Sequence, residues 1–198
     1  MNTKNLRQQI RQQRRALSEA EREQASFLLC ERIAAMPSFK KSQHIAFYLA
    51  NDGEINLNLL IEHAWQQGKH CYLPVLSKPN TPKLQRLWFV PYTANTQLRN
   101  NRFAIPEPIH SPRSHFTKPM SLDLVLMPLV AFDPQGHRIG MGGGFYDKSF
   151  AFLNNRQYLF KPNLLGVAYE LQKLKEIKTN DWDIPMQGVA TEKAFYRP

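Results

Sequence analysis

Cysteine is almost missing from this chain. Of its 198 residues only Cys30 and Cys71 are cysteines. One stands in a helical pattern and the other in a strand pattern, and neither has metal-ligand spacing. Zinc-finger spacing is absent, and two reduced thiols are expected in preference to a disulfide because no export signal accompanies them. Acid is also in short supply, with 16 Asp and Glu against 26 Lys and Arg, a formal net charge of +10. That excess favours anionic ligands, nucleic acid among them, yet it is not gathered in a tail and no RNA-recognition signature accompanies it. Apolar runs stay well short of the roughly eighteen residues that a membrane span requires. The opening MNTKNLRQQIRQQRR has no apolar segment behind its charges, so export is not expected and a cytoplasmic location is. Internal repeats and low-complexity tracts are absent. What remains, 42% hydrophobic and 21% charged, is the composition of one globular domain spanning 1–198.

Glycine is scarce as well, nine in all, and four of the nine lie at Gly140, Gly142, Gly143 and Gly144. The stretch that carries them begins with Leu124–Val130, an apolar run of the kind a doubly covered strand needs. Pro128 within it implies an edge, a bulge, or a strand that turns out of the sheet at its carboxyl end. Asp133-Pro134-Gln135-Gly136 is a turn by composition, and Arg138 to Asp147 holds the glycine cluster. Backbone N–H groups bared by glycine, with a helix starting near Phe145, would welcome an anion such as phosphate. The cluster is neither a P-loop nor a dinucleotide fingerprint, and by itself it could equally be a surface turn. Arg138 before it and Tyr146-Asp147 after it favour a phosphate site, with Asp147 a natural magnesium ligand.

Along the chain, residues 4–16 read as a helix with a basic stripe (Lys4, Arg7, Arg11, Arg14, Arg15) and an apolar face of Leu6, Ile10 and Leu17. The stripe is either a solvated face or a phosphate-binding one. Ser18-Glu19-Ala20-Glu21 is a capping box for a second helix running to about Ala35 and stopped by Pro37, with Phe27, Leu28, Cys30 and Ile33 as core residues. His44–Leu49 is the first strong strand, and a turn through Asn51–Glu54 leads to a helix over Leu57–Gln67 closed by Gly68. Glu54 then stands where open α/β sheets collect ligands, although an acid there would also suit a helix amino terminus. A strand over Lys69–Leu76 broken at Pro74, a loop over Ser77–Lys83 and a strand over Leu84–Val90 follow. Residues 91–121 form a long proline-containing excursion, and Leu164–Ala168 is a further strand. His110, His115 and His137 lack the pairing of metal ligands. These alternating elements imply an α/β fold: a mostly parallel central sheet flanked by helices in a Rossmann-like three-layer arrangement.

The string Phe132–Asp147, FDPQGHRIGMGGGFYD, resembles the signature of the 5-formyltetrahydrofolate cyclo-ligase family, F-D-x-x-G-x-R-[LI]-G-x-G-x-G-[FY]-Y-D. The basic opening helix, Glu54, the segment Phe103–Pro108 and the tail Asp183–Glu192 fit the same family in order. Two positions depart from it: Ala104 replaces the commoner glycine, and Gln187 the usual aspartate. The resemblance implies ATP-dependent closure of 5-formyltetrahydrofolate, with or without a polyglutamate tail, to 5,10-methenyltetrahydrofolate by a monomer that binds neither nucleic acid nor membrane. It implies nucleotide contacts from Lys4, Asn5, Leu6, Arg7 and Gln8 and from Arg138, Ile139, Gly140, Met141, Gly142, Gly143, Gly144, Phe145 and Tyr146. It further implies catalytic roles for Arg138 and Tyr146, folate contacts from Leu49 and Glu54, and magnesium held by Asp147 and Asp183 rather than Asp181. The competing class is a basic nucleic-acid-binding module in which the glycine loop is merely structural.

Overall fold

The computed structural model describes residues 3–76, 86–101, 104–110, 116–154, 161–178 and 183–198. The expected loop at Ser77–Lys83, the start of the strand at Leu84, and Phe103, His115 and Asp181 lie outside the described residues. Seven strands form one sheet: β1 His44–Ala46, β2 His70–Leu76, β3 Leu87–Pro91, β6 Leu124–Pro128, β9 Asn163–Val167, β10 Gly188–Ala190 and β11 Phe195–Tyr196. Their order is β11-β10-β9-β6-β1-β2-β3. The five inner strands run parallel, and only β3 and β11 at the two edges are antiparallel. Two small hairpins stand apart, β4 Leu98–Asn100 with β5 Pro106–Pro108, and β7 Ala131–Phe132 with β8 Arg138–Ile139.

Alternation along the strands sends side chains to two different cores. On one face Ile45, Leu73, Leu124, Leu126 and Leu165 pack under α2 Glu19–Ala35, α3 Pro37–Lys41 and α4 Asn58–Gln66. On the other, Ala46, Tyr72, Val125, Met127 and Leu164 meet α5 Phe145–Phe150 and the carboxyl-terminal Ile184 and Met186. The result is the expected α/β architecture, a mostly parallel sheet between two helical layers.

Local chemistry corrects several sequence expectations. Ser18 caps α2 as a capping box, but the inward stripe is Ala25, Ser26, Leu29, Cys30 and Ile33. Phe27 and Leu28 are 52% and 39% exposed, because each lies off that i, i+4 stripe. Pro37 both ends α2 and opens α3, where its missing N–H is no loss. Strand β2 is not broken at Pro74, which pairs in register with Phe89. Cys71 turns its carbonyl to Tyr92, and Tyr72 turns its own to Phe47 on the β1 side, where pairing ends. By alternation Pro74 also faces the β1 side, beyond the last bond, so no ladder donor is missing. Strand β6 lies at the centre of the sheet, between β1 and β9, which removes the edge reading of Pro128. Pro128 is its last residue, where the chain turns out of the sheet. The excursion 91–121 contains the β4–β5 hairpin, and Ala104 at its tip has a left-handed φ of 56°. That conformation explains why glycine is the natural residue there.

Candidate active site

The chain leaves β1 to build β2 on one side and later builds β6 on the other, so the winding direction switches between β1 and β6. Open α/β sheets bind ligands at the carboxyl ends of strands at such a switch. A cleft of about 1210 Å³ opens there, walled by Tyr48, Leu49 and Glu54 beyond β1, Leu73 and Pro74 of β2, and Met127 and Pro128 of β6. It exceeds the space that one drug-sized ligand usually occupies, so it has room for two.

The first wall is set by α1 Thr3–Ala16 and the turn after β1. Asp52 and Gly53 both have positive φ, 54° and 72°, and this turn brings the Asp52 carboxylate to the helix. Arg11 donates to it at 2.6 Å, Arg14 at 3.0 Å, and Arg15 closes the group. Burial raises the Asp52 carboxyl, but hydrogen bonds from Arg11 and Arg15 and the charges of Arg11 and Arg14 hold it below its ordinary value. Arg14 is only 1% exposed and also donates to the carbonyls of Asp52 and Leu129, which overturns its reading as a solvated charge. Thr3, Leu6, Arg7 and Arg11, one helical face, point into the cleft. Lys4, Asn5 and Gln8 are not among the residues that wall it, and each is exposed.

Glu54 accepts the backbone N–H of Asn51 at 3.1 Å. Burial pushes its carboxyl from 4.5 up to about 7, against the pull of Arg14 and that N–H. The Tyr146 hydroxyl is pushed up by burial and by the neighbouring Glu54, so it remains a neutral donor near neutral pH. Leu49 lies beside them on the same wall.

Opposite stands the glycine loop. Gly142 and Gly144 have φ of 99° and 61°, a backbone that other residues rarely adopt. Arg7 donates from Nε to the Gly140 carbonyl at 2.8 Å, and its guanidinium lies 3.6 Å from where a Cβ on Gly142 would sit. Arg138 donates to Asp147 and to the Ile184 carbonyl, and the Ile184 N–H reaches Asp147 at 3.4 Å. This linkage brings Asp183, next to Ile184, to the Asp147 side of the cleft. Arg138 is thus committed to protein partners, whereas Arg7 is the cation that overlies the loop.

An open glycine backbone beneath a guanidinium suits a polyphosphate. Two carboxylates on that wall suit Mg²⁺, which takes one or two carboxylates and completes its shell with phosphate and water. Among the described residues there is no cluster of three or more His, Cys, Asp or Glu that would hold a metal alone. The donor set fits magnesium bound together with a nucleotide.

The sequence matches the model of the 5-formyltetrahydrofolate cyclo-ligase family over residues 1–192. The chain belongs to that family. The cyclo-ligase of Escherichia coli K12 is 37% identical over 183 residues, covering 92% of this chain and 96% of that protein. The cyclo-ligase of Haemophilus influenzae is 35% identical, covering 91% and 92%. The solved structure of Aquifex aeolicus 5,10-methenyltetrahydrofolate synthetase, 30% identical, superposes with a TM-score of 0.80 over 100% of this chain and 93% of that one. This chain is accordingly an enzyme of the cyclo-ligase family. Sequence reasoning missed Thr3, which follows from the helical period of Leu6 and Arg7, and gave Arg11 only as a member of the basic stripe. It assigned no role to Ile105 and Glu107, although the segment Phe103–Pro108 fits the family pattern, and it missed Tyr48 and Ile177, for which no local signal exists.

The departures from the family pattern find structural explanations. Gln187 accepts the Leu164 N–H and donates its own backbone N–H to the Leu164 carbonyl at 2.9 Å, so it clamps the start of β9 to the tail. Thr191 and Glu192 are tied to Glu170 at 2.7 and 2.9 Å and do not wall the cleft.

Proposed function

We propose that the protein catalyses the ATP-dependent conversion of 5-formyltetrahydrofolate to 5,10-methenyltetrahydrofolate with release of ADP and phosphate. The observation that carries this reading is one cleft at the β1/β6 switch with an acid, Glu54, on one wall and an arginine-covered glycine loop on the other. The formyl oxygen is a poor leaving group. ATP supplies a phosphoryl group to that oxygen, N10 then adds to the formyl carbon, and the oxygen departs as phosphate while N10 loses its proton to solvent.

The protein's part is to position groups and stabilise charge. Arg7 and the N–H groups of the glycine loop hold the phosphates, Arg138 aligns Asp147, and Asp147 with Asp183 holds magnesium. Tyr146 donates its hydroxyl between the two ligands, and Glu54 and Leu49 hold the pterin. Leu6 and Arg7 supply the nucleotide contacts of α1, while Lys4, Asn5 and Gln8 stand outside the cleft. A polyglutamate tail would be drawn by the net charge of +10. The monomeric state, the cytoplasmic location and the absence of nucleic acid belong to the same proposal. Two free buried thiols are in keeping with a reducing compartment, and among the described residues no helix is long and apolar enough to cross a membrane. The rival nucleic-acid reading relied on an open arginine stripe, and Arg11, Arg14 and Arg15 instead converge on Asp52.

The test is spectroscopic. Protein, 5-formyltetrahydrofolate, Mg²⁺ and ATP should develop methenyl absorbance, with neither ATP-free nor chelated samples doing so. Equal absorbance without ATP would overturn the nucleotide dependence.

A further inference from the structure

Asp133 is entirely enclosed, at 0% exposure, and none of the roles above uses it. Its carboxylate has four donors. Oδ1 accepts the N–H groups of Gln135 at 3.1 Å and His137 at 3.0 Å, while Oδ2 accepts His137 Nδ1 at 2.9 Å and the Ile177 N–H at 2.8 Å. The first three close the turn between β7 and β8, as an aspartate before a glycine often does. The fourth is different in kind, since Ile177 lies 44 residues further along the chain.

That bond joins two walls of the cleft. On one side the turn leads directly into Arg138 and the glycine loop. On the other, Leu174, Ile177 and Lys178 wall the same space. The Leu174 N–H to Phe132 carbonyl bond, 2.8 Å, adds a second tie one residue before the carboxylate. A buried carboxylate is tolerated only when its lone pairs are taken, and here both oxygens are, so the group can shift only if both walls shift with it. The segment bearing Arg138 is therefore held to the wall at 174–178 by this side chain together with the Leu174–Phe132 backbone bond.

We infer that Asp133 is a positioning residue for the cyclo-ligase reaction, fixing the glycine-loop wall against the wall at 174–178. The inference rests on the function proposed above. It differs from a turn-forming role in what an amide should do. In Asp133→Asn, Oδ1 can still accept the Gln135 and His137 N–H groups. The amide NH₂ cannot accept from Ile177, so the turn stays while the tie is lost.

The experiment compares Asp133→Asn, Ile177→Pro and His137→Ala with the parent in the methenyl assay, reading kcat on the folded fraction. Residue-resolved hydrogen exchange is read alongside. Ile177→Pro deletes the donor and leaves the turn untouched, so it answers the question if Asp133→Asn does not fold. Both are expected to lower kcat by about 10²-fold, the cost of a misplaced catalytic wall, with ATP and folate each still bound. His137→Ala, which keeps the Ile177 bond, should stay near the parent. Exchange in the glycine loop should quicken in the first two variants, with β6 and β9 still protected. Parental kcat in a folded Asp133→Asn or Ile177→Pro, or parental exchange in the loop, overturns the inference. Should the parent itself form no methenyl product, the proposed function fails, and the exchange comparison still decides whether Asp133 couples the walls.

Discussion

At the scale of single residues, two side chains hold conformations or charges that the solvent would not choose. Ala104, with φ 56°, sits where a Cβ crowds the backbone. Left-handed geometry costs an L-residue roughly 1–2 kcal/mol, and glycine's extra chain entropy offsets part of the relief. Ala104→Gly should stabilise the fold by about 0.5–1 kcal/mol, read as a shifted urea midpoint at unchanged slope. Glu54 is raised from 4.5 to about 7 by burial. Between those values the folded protein keeps a proton that the unfolded chain has released, so this group's contribution to stability falls as pH rises through the window. Glu54→Gln removes the titration. Its stability should match the parent at pH 4 and exceed it at pH 8 by about 2 kcal/mol, allowing for the part of the carboxyl open to water. The same variant should lose about 1.5–3 kcal/mol of folate affinity, by isothermal titration, with ATP binding intact. Equal losses for both ligands would assign Glu54 to the fold rather than to the pterin.

Elements show where local pattern stops informing. The amphipathic period of α1 and the capping box of α2 are visible in the sequence because both are written within a few residues. The partner of α1's arginines is not, because Asp52 reaches them only through a turn with two positive-φ residues. Arg14 and Arg15, neighbours of one residue type, therefore differ in consequence. Arg14 is 1% exposed and bonded to two carbonyls and a carboxylate. Arg14→Met should destabilise by about 3 kcal/mol, near the lower end for breaking a buried pair because Asp52 keeps Arg11 and Arg15. Arg15, whose side chain is 56% exposed, should cost less than about 1 kcal/mol on the same substitution, both measured by urea unfolding. On the opposite wall, Asp183→Asn should lose most phosphoryl transfer and recover part of it at high Mg²⁺ or with Mn²⁺, as mass action offsets weaker binding. Asp181→Asn should behave like the parent in the same metal titration, and the reverse pattern would reassign the ligand.

At the scale of the whole molecule, the sheet and its two flanking layers were readable because long apolar strands alternate with helical periods. The glycine loop was readable because four glycines fall within five positions. Strands of two or three residues, such as β4, β5, β7, β8, β10 and β11, left no period to detect. Their existence depends on pairing rather than on pattern, as when Val189 pairs with Gly166 on one side and with the nearby Tyr196 on the other. The cleft lies between these two regimes. Its floor, at the ends of β1, β2 and β6, follows from strand order. Its outer wall at 174–178 is placed by tertiary bonds alone, and no sequence motif announced it.

Where β6 leaves the sheet at Pro128, the carbonyls of Leu129 and Val130 pass to side chains. Gln172 donates to them at 2.6 and 3.0 Å, and Arg14 donates to Leu129 at 3.3 Å. For a polypeptide emerging from the ribosome this imposes a timetable. The β1–α4–β2–β3 half needs only residues already made and can pair early, since N-terminal units fold first during synthesis. The turn-out from β6 must wait for Gln172, so the half-made protein carries a sheet but no finished cleft. Chains released at residue 154 should accordingly be cut by protease between β6 and β8 while β1 and β2 resist, and the complete chain should resist at both.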